Sequence, residues 1–295
     1  MHLSMHNWMR AESPEVTIRR LKKYGFESIE ISGEPEIYNA NELRKTLKDN
    51  GIRCWGAVTL MLKDRNLLAK NEAQRASSVK YTKDCVTLVK EMDGYELTIV
   101  PCTVGKINPE ATPEEEWKWA VESLQEVQEY ASKAGVKLGL EPLNRFETYF
   151  MSRAAQAIAL AKAVSPQCGV CLDAFHLNIE EADPYAAIRS AKGLLVDFHV
   201  ADSNRMAPGM GHWDWLKLVG TLKLIGYDGA LTAEFVAPID RTPANQYPNA
   251  IEKKPVDISP EQLKFIQEHG SSLLTGEFYE WLVGKTAETL LPLIK

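Results

Sequence analysis

Four ionisable residues each stand where a short apolar run stops: Glu141 after VKLGL, Asp173 after GVCL, His199 in LLVDFH and Glu234 after ALTA. Three carboxylates and one imidazole, with no thiolate among them, make an oxygen-rich donor set. Such a set suits a divalent ion such as Mn²⁺, Mg²⁺ or Co²⁺ better than structural zinc or soft copper. Three carboxylate charges facing a dication leave a centre suited to a neutral polyol, with a carboxylate available as base and the ion able to stabilise an enediolate as a Lewis acid. Taken alone, Asp173 could merely cap a turn and the nearby His176 could pack under a loop. Four such groups at consecutive strand ends are harder to explain structurally, because buried charges need partners.

The elements that must position these residues alternate in type along the chain. Apolar runs at 2–6, 28–32, 52–58, 96–100, 136–140, 168–172, 194–199 and 230–234 read as strands, and amphipathic segments lie between them. Helix starts are marked by Ser13 with Pro14, by Asn39 with Glu42, by Thr112 with Pro113 and Glu115, by Ser152, and by Asp183 with Pro184. Further helices are expected over 71–92 and 213–225, and Gly25, Gly51 and Gly135 read as stops. Eight strands alternating with helices predict an α/β protein, a (β/α)₈ TIM barrel forming one domain over 1–295. A closed barrel brings the four strand ends around one mouth. An open doubly wound sheet is the alternative, weakened by the lack of a GxGxxG or GxxxxGK[ST] loop.

Beyond the eighth strand, residues 236–258 form a long connection with Pro238, Pro243, Pro248 and Pro255, either a lid or an arm for subunit contacts. Residues 261–295 are expected to be a C-terminal helical extension, with Leu273, Leu274, Trp281, Leu282, Leu290 and Leu291 as its apolar positions. Exposed apolar residues there would favour a homo-oligomer, a dimer or a tetramer.

The 295 residues are 45% hydrophobic and 25% charged, ordinary for a globular protein, and the formal net charge is −6. That balance argues against nucleic acid or an anionic membrane as partner. No run approaches a membrane span and the first residues do not read as a signal peptide, so a cytoplasmic protein with a small-molecule partner is expected. The five cysteines at 54, 85, 102, 168 and 171 have no framework spacing and fit reduced thiols. Cys168 and Cys171 form a CxxC, but an offset of three on a strand sends them to opposite faces, so neither a redox pair nor a metal clip is expected.

The stretches VCLDAFHLNIEE, EPLNRFE, HVADSNR with the following PGMGHWDW, and IGYDGALTAEF strongly resemble the D-tagatose 3-epimerase and D-psicose 3-epimerase group of the xylose-isomerase-like TIM barrels. The likeness is dense from Val136 to Phe235 and weaker before it. It implies metal ligation by Glu141, Asp173, His199 and Glu234, with Glu141 and Glu234 doubling as the acid/base pair and manganese as the first choice of ion. It also implies that Glu147, His176 and Arg205 hold substrate oxygens near C1 to C3. The implied activity is a divalent-metal-dependent sugar isomerase or epimerase, in the ketose 3-epimerase manner. Epimerisation beside a carbonyl removes a proton from one face and returns it to the other, work that two carboxylates can share.

Plainer roles stay open for several of these residues. Arg205 could pair with Asp202, Glu147 could pair with Arg145 or Arg153, and His212 and Trp213 read better as loop packing than as substrate contacts. The sequence also departs from the family. SMHNWM after the first strand brings His6 and Trp8 towards the mouth as candidate pocket lining. TLMLKDRNLLAKNEAQR after the third is basic, and Lys63, Arg65 and Lys70 are either solvated or contacts for a larger or anionic substrate. Other functions share the barrel. One is a lyase, the metal-dependent subunit of a C-glycoside deglycosidase, which would act on 3-oxo-glycosides with a small partner subunit. An endonuclease barrel cutting at abasic sites would need more histidine ligands and a basic face. A sugar-binding module without turnover would share the same spacing.

Overall fold

The computed structural model describes residues 1–10, 12–251 and 274–295. Strands β1 (His2–Met5), β2 (Ser28–Gly33), β3 (Arg53–Thr59), β4 (Glu96–Ile99), β5 (Lys137–Leu140), β6 (Gly169–Asp173), β7 (Leu195–Val200) and β8 (Ala230–Ala233) alternate with helices. The helices are α1 (Pro14–Lys23), α2 (Ala40–Asn50), α3 (Glu72–Glu91), α4 (Pro113–Ala134), α5 (Ala154–Val164), α6 (Ala174–Glu180), α7 (Pro184–Ser190), α8 (Trp215–Leu224) and α9 (Gly276–Ile294). The strands form one parallel sheet in the order β1-β8-β7-β6-β5-β4-β3-β2. Its two edge strands meet: Glu27 N donates to Leu3 O at 3.0 Å, Asn7 N to Glu30 O at 3.2 Å, and His6 bridges Glu30 in parallel. The result is a nearly closed (β/α)₈ barrel.

Local chemistry explains most of the boundaries. Thr112 Oγ1 accepts from Glu115 N at 3.3 Å while the Glu115 carboxylate accepts from Thr112 N at 3.0 Å, a closed capping box with Pro113 in the first turn. Gly51 and Gly135 end α2 and α4 in the left-handed conformation, at φ 70° and 79°. Two helical details differ from expectation. Helix α5 starts at Ala154 rather than Ser152, because the Gln156 side chain accepts from both Ser152 N and Arg153 N and so caps the turn itself. The short α6 follows Asp173 directly and has too few residues to show periodicity in sequence.

Register matters more than boundaries here. In β6 against β7 the pairing slips by one residue after Val170, so that Asp173 faces His199. In β2 against β3 it slips after Ile29, so that Glu30 faces Gly56. The extra residue lies in β7 in the first case and in β3 in the second, so these two irregularities decide which residues of neighbouring strands stand opposite each other.

Leu282, Val283 and Leu290 of α9 are buried, as is Leu274 just before it, so these apolar positions serve the protein's own core. Trp281 stays 39% exposed and clusters with Phe278 and Tyr247. Residues 236–251 of the Pro-rich connection run to Ile251, which bridges Leu274 in antiparallel fashion. The remainder of that connection, with Pro255, and the start of the expected tail, with Leu273, lie outside the described residues. All five cysteines are buried free thiols.

Candidate metal centre and its cavity

Glu141, Asp173, His199 and Glu234 converge. One ligand atom from each lies within 4.8 Å of the others, and all four residues are buried. Their strands deliver them to one level: Asp173 and His199 sit abreast, Glu141 N is fixed on Ile99 O at 2.9 Å, and Glu234 N on Val200 O at 3.1 Å. His199 Nδ1 lies 3.2 Å from Glu141 Oε1 and 2.9 Å from Glu234 Oε2. Asp173 does both things its sequence allowed. Its Oδ1 accepts from the Phe175 and His176 backbone and caps α6, which leaves Oδ2 for the cluster.

The electrostatics of this group are those of buried acids packed around one imidazole. Burial pushes the Asp173 carboxyl up to about 6 and raises that of Glu141 as well. Burial also disfavours a charged imidazole at His199, yet the neighbouring Cys171 and then the surrounding carboxylates carry its pKa well above the ordinary value. Glu234 Oε2 and His199 Nε2 are buried without a hydrogen-bond partner. Packed acids with orphaned polar atoms, all oxygen and imidazole donors, fit a divalent ion.

A cavity of about 340 Å³ opens beside the cluster, lined by Glu141, Glu234, Glu147, His176, Arg205 and Trp8, with Leu60, Met61 and Val236 among its apolar walls. Arg205 Nη1 donates to Glu147 Oε1 at 2.7 Å and its Nη2 stands 3.8 Å from Glu234 Oε1. The pairing of Arg205 with Asp202 is therefore not what forms. Asp202 instead accepts from Ser203 N, Gly209 N and Trp215 Nε1 and ties down the loop after β7. Arg145 pairs with Glu180, so it does not compete for Glu147. Arg205 adopts φ +59°, a left-handed backbone unusual for a non-glycine residue, and its guanidinium lies 4.8 Å from the centre of the Phe175 ring. His176 Nδ1 accepts from Asn144 N at 3.2 Å, which makes Nε2 its donor, and burial keeps the ring neutral by lowering its pKa.

Trp8 lines the cavity as expected, but His6 does not. His6 is fully buried beneath the cluster, its Nε2 3.2 Å from Glu30 Oε2 and 3.6 Å from Glu234 Oε2. The physical reason is the β1–β2 closure at His6 and Glu30, which turns the imidazole into the barrel. His212 is held by Ser203 Oγ and Asn178 Oδ1, and Trp213 packs edge-on against Tyr185, in agreement with loop roles. Arg65 stacks on Tyr81 at 3.7 Å and donates to Leu60 O. The hollow it lines with Lys63 also contains Glu34, Glu36 and Asp64, which does not make an anion trap.

A layer of acids below the cluster escaped the strand-end reading. Glu30, Glu96 and Asp197 are fully buried inside the barrel. Asp197 accepts from Thr232 Oγ1 at 3.0 Å, and Glu96 accepts from Thr98 Oγ1 at 3.0 Å. Burial, with Glu30 and Asp197 close by, raises the Glu96 carboxyl well above its usual range. The signal for all three was present in the sequence as a lone acid inside an apolar strand, in SIEIS, YELTI and LVDFH.

Residues 18–269 match the family model described as xylose isomerase-like TIM barrel. The chain belongs to that family. It is 32% identical over 236 residues to the D-psicose 3-epimerase of Agrobacterium fabrum, covering 78% of this chain and 81% of the relative. It is 31% identical over 223 residues to the L-ribulose 3-epimerase of Mesorhizobium japonicum, covering 75% and 74%. The fold agrees with the crystal structure of the D-psicose 3-epimerase from Clostridium cellulolyticum with D-tagatose, at a TM-score of 0.80, 24% identity and coverage of 99% and 98%. Membership and these relatives make the protein an enzyme of the isomerase class, an epimerase. No helix among the described residues is long and apolar enough to cross a membrane.

Proposed function

We propose that the protein epimerises a ketose beside its carbonyl, with a divalent ion held by Glu141, Asp173, His199 and Glu234. The observation that carries this reading is the convergence of those four residues at the wall of a cavity that also contains Glu147, His176 and Arg205. Manganese is the preferred ion, with magnesium or cobalt as substitutes, on the chemistry of the donor set. When bound, the ion supplies Lewis-acid polarisation of the sugar's carbonyl and hydroxyl oxygens.

Glu141 and Glu234 enter the mouth from β5 and β8, which are separated by β6 and β7. They therefore approach a sugar in the cavity from different sides, one removing the proton at the carbon beside the carbonyl and the other returning one to the opposite face. Arg205 and His176 orient the substrate oxygens, and the guanidinium balances charge that develops on oxygen. Glu147 fixes Arg205 and accepts from a sugar hydroxyl. The apolar walls and Trp8 limit water. The relatives named as 3-epimerases of D-psicose and L-ribulose support C3 as the reacting carbon. A homo-oligomer is the expected assembly, with the exposed Trp281 cluster as a contact surface.

Incubating the enzyme with Mn²⁺ and a panel of free ketoses in D₂O tests the reading. The expected result is one deuterium per turnover at the epimerised carbon, with turnover abolished in Glu234→Gln while the ion still binds. Absence of deuterium from every ketose would sink it.

A further inference from the structure

Four polar side chains form a closed ring that joins His199 and Glu234 of the proposed metal centre to Glu30 and His6 beneath it. His199 Nδ1 is 2.9 Å from Glu234 Oε2, His199 Nε2 is 3.2 Å from Glu30 Oε2, and His6 Nε2 is 3.2 Å from that same Glu30 oxygen and 3.6 Å from the same Glu234 oxygen. The two imidazoles meet edge-on, 4.7 Å between centres at 81°. His6, Glu30 and His199 are wholly inaccessible to solvent. Even so, both nitrogens of His6, both oxygens of Glu30 and Nε2 of His199 lack a partner in hydrogen-bond alignment. Leaving such groups unsatisfied inside a barrel is costly, so their presence asks for a purpose.

We propose that Glu30 and His6 are positioning residues of the metal centre: Glu30 accepts the Nε2 hydrogen of His199 and so directs Nδ1 to the ion, and His6 holds Glu30 in place. The inference rests on the metal reading above. An imidazole that gives one nitrogen to an ion presents the other as a donor, and a buried carboxylate there fixes its tautomer and increases its basicity. Nδ1 is the nitrogen aimed at the ion because it faces Glu141 Oε1 and Glu234 Oε2, both within the converging donor group. Nε2 then faces Glu30 and, at 3.3 Å, Asp197.

Of those two acids Glu30 is the one with acceptor capacity to spare. Asp197 is already engaged by Thr232 Oγ1 through both oxygens and by Tyr227 OH. The backbone makes the arrangement rigid. His6 N donates to Ala233 O at 3.1 Å, beside Glu234, while the His6–Glu30 bridge joins β1 to β2. One residue therefore couples the closure of the barrel to both the proposed base and the outer carboxylate. Hydrogen bonds of this kind tighten when a site is filled.

The test uses the full chain and Mn²⁺ alone. Competition with a chelator measures metal affinity in the wild type, Glu30→Gln, His6→Phe and, as a control remote from the centre, His212→Gln. Glu30→Gln is expected to weaken Mn²⁺ binding about 10- to 100-fold, as loss of an outer-shell partner does, with a smaller loss for His6→Phe and none for His212→Gln. A second measurement needs no variant. Nitrogen NMR of wild-type protein with ¹⁵N-labelled histidine and Mg²⁺ bound should show His199 protonated at Nε2 and not at Nδ1. Glu30→Gln affinity within about threefold of wild type would overturn the inference, since the outer partner would then contribute less than such partners do. A proton found on Nδ1 overturns it independently, even where Glu30→Gln does not fold. A wild type that binds no Mn²⁺ overturns the metal reading itself, whereas binding by wild type and variant alike overturns only this inference.

Discussion

His199 Nδ1 lies 2.9 Å from Glu234 Oε2, yet Glu234 Oε2 is a buried oxygen with no hydrogen-bond partner. The two atoms come from neighbouring strands and are held close by register rather than by a formed bond. With Glu141 and Asp173 on the same cluster, four donor atoms lie within 4.8 Å of one another, close enough for one dication to hold. Adding Mn²⁺ should therefore raise the melting temperature, and excess EDTA should reverse the rise. At 100 times the dissociation constant, the gain corresponds to about 2.7 kcal/mol. Differential scanning calorimetry with and without the ion checks this, and an unchanged transition would count against the centre.

The Arg205–Glu147 pair sets a second expectation. Its 2.7 Å charge-assisted bond lies at the cavity wall, with both side chains under a quarter exposed. A lysine at 205 has no planar fork with which to keep both Glu147 and a substrate oxygen. Arg205→Lys should lower kcat/KM by about 10- to 100-fold, the equivalent of one charged hydrogen bond. Glu147→Gln should cost less, and the double variant less than the sum of the two. Additive losses in a double-mutant cycle would show that the pair does not act as a unit.

Gly56 makes the barrel wall yield to an acid. A Cβ there would stand 2.2 Å from Glu96 Oε1 and 2.3 Å from the Glu96 carbonyl oxygen. Neither atom has room to withdraw, since Glu96 is paired with Gly56 across β3 and β4 and its carboxyl is fully buried. Gly56→Ala should destabilise the fold by about 1–3 kcal/mol or more, as overpacking of a core does. Urea denaturation gives the answer directly, and a wild-type midpoint would contradict the close approach.

His2, at the opposite end of β1 from the cavity, gives a pH dependence that does not involve the proposed metal centre. Burial, with the Arg53 charge next, lowers its pKa from 6.5 to about 4, and its Nε2 sits 2.8 Å from Ser28 Oγ. The unfolded chain then binds more protons than the folded one between those values. Its contribution is therefore complete above pH 6.5 and is lost as the pH falls towards about 4. Melting curves across that window should fall more steeply for wild type than for His2→Gln. Parallel curves would show that His2 is not held neutral.

Much of this protein was legible before any coordinate. The capping box at Thr112 and Glu115 and the stops at Gly51 and Gly135 work because they depend on a few neighbouring atoms. The four strand-end residues were legible for a related reason, since a charge at the end of an apolar run is visible without knowing what lies beside it. His6 was misplaced at the mouth because its direction depends on how β1 meets β2, a contact between residues 24 positions apart. Helix α5 began late because Gln156, and not the expected Ser152, supplies the cap.

The sequence by itself determined the alternation of strands and helices, the donor types at the mouth and the motifs that place the chain in its family. Those properties are local, or repeat along the chain. The tertiary structure decided register. The slip after Val170 sets Asp173 beside His199, and the slip after Ile29 sets Glu30 opposite Gly56. A strand's side chains alternate faces with a period of two, so a one-residue irregularity reverses what a charge meets while leaving the pattern of residue types almost unaltered. Only the nearly closed barrel fixes where those slips fall and assembles the layer of Glu30 and His6 under the four residues that the sequence had already marked.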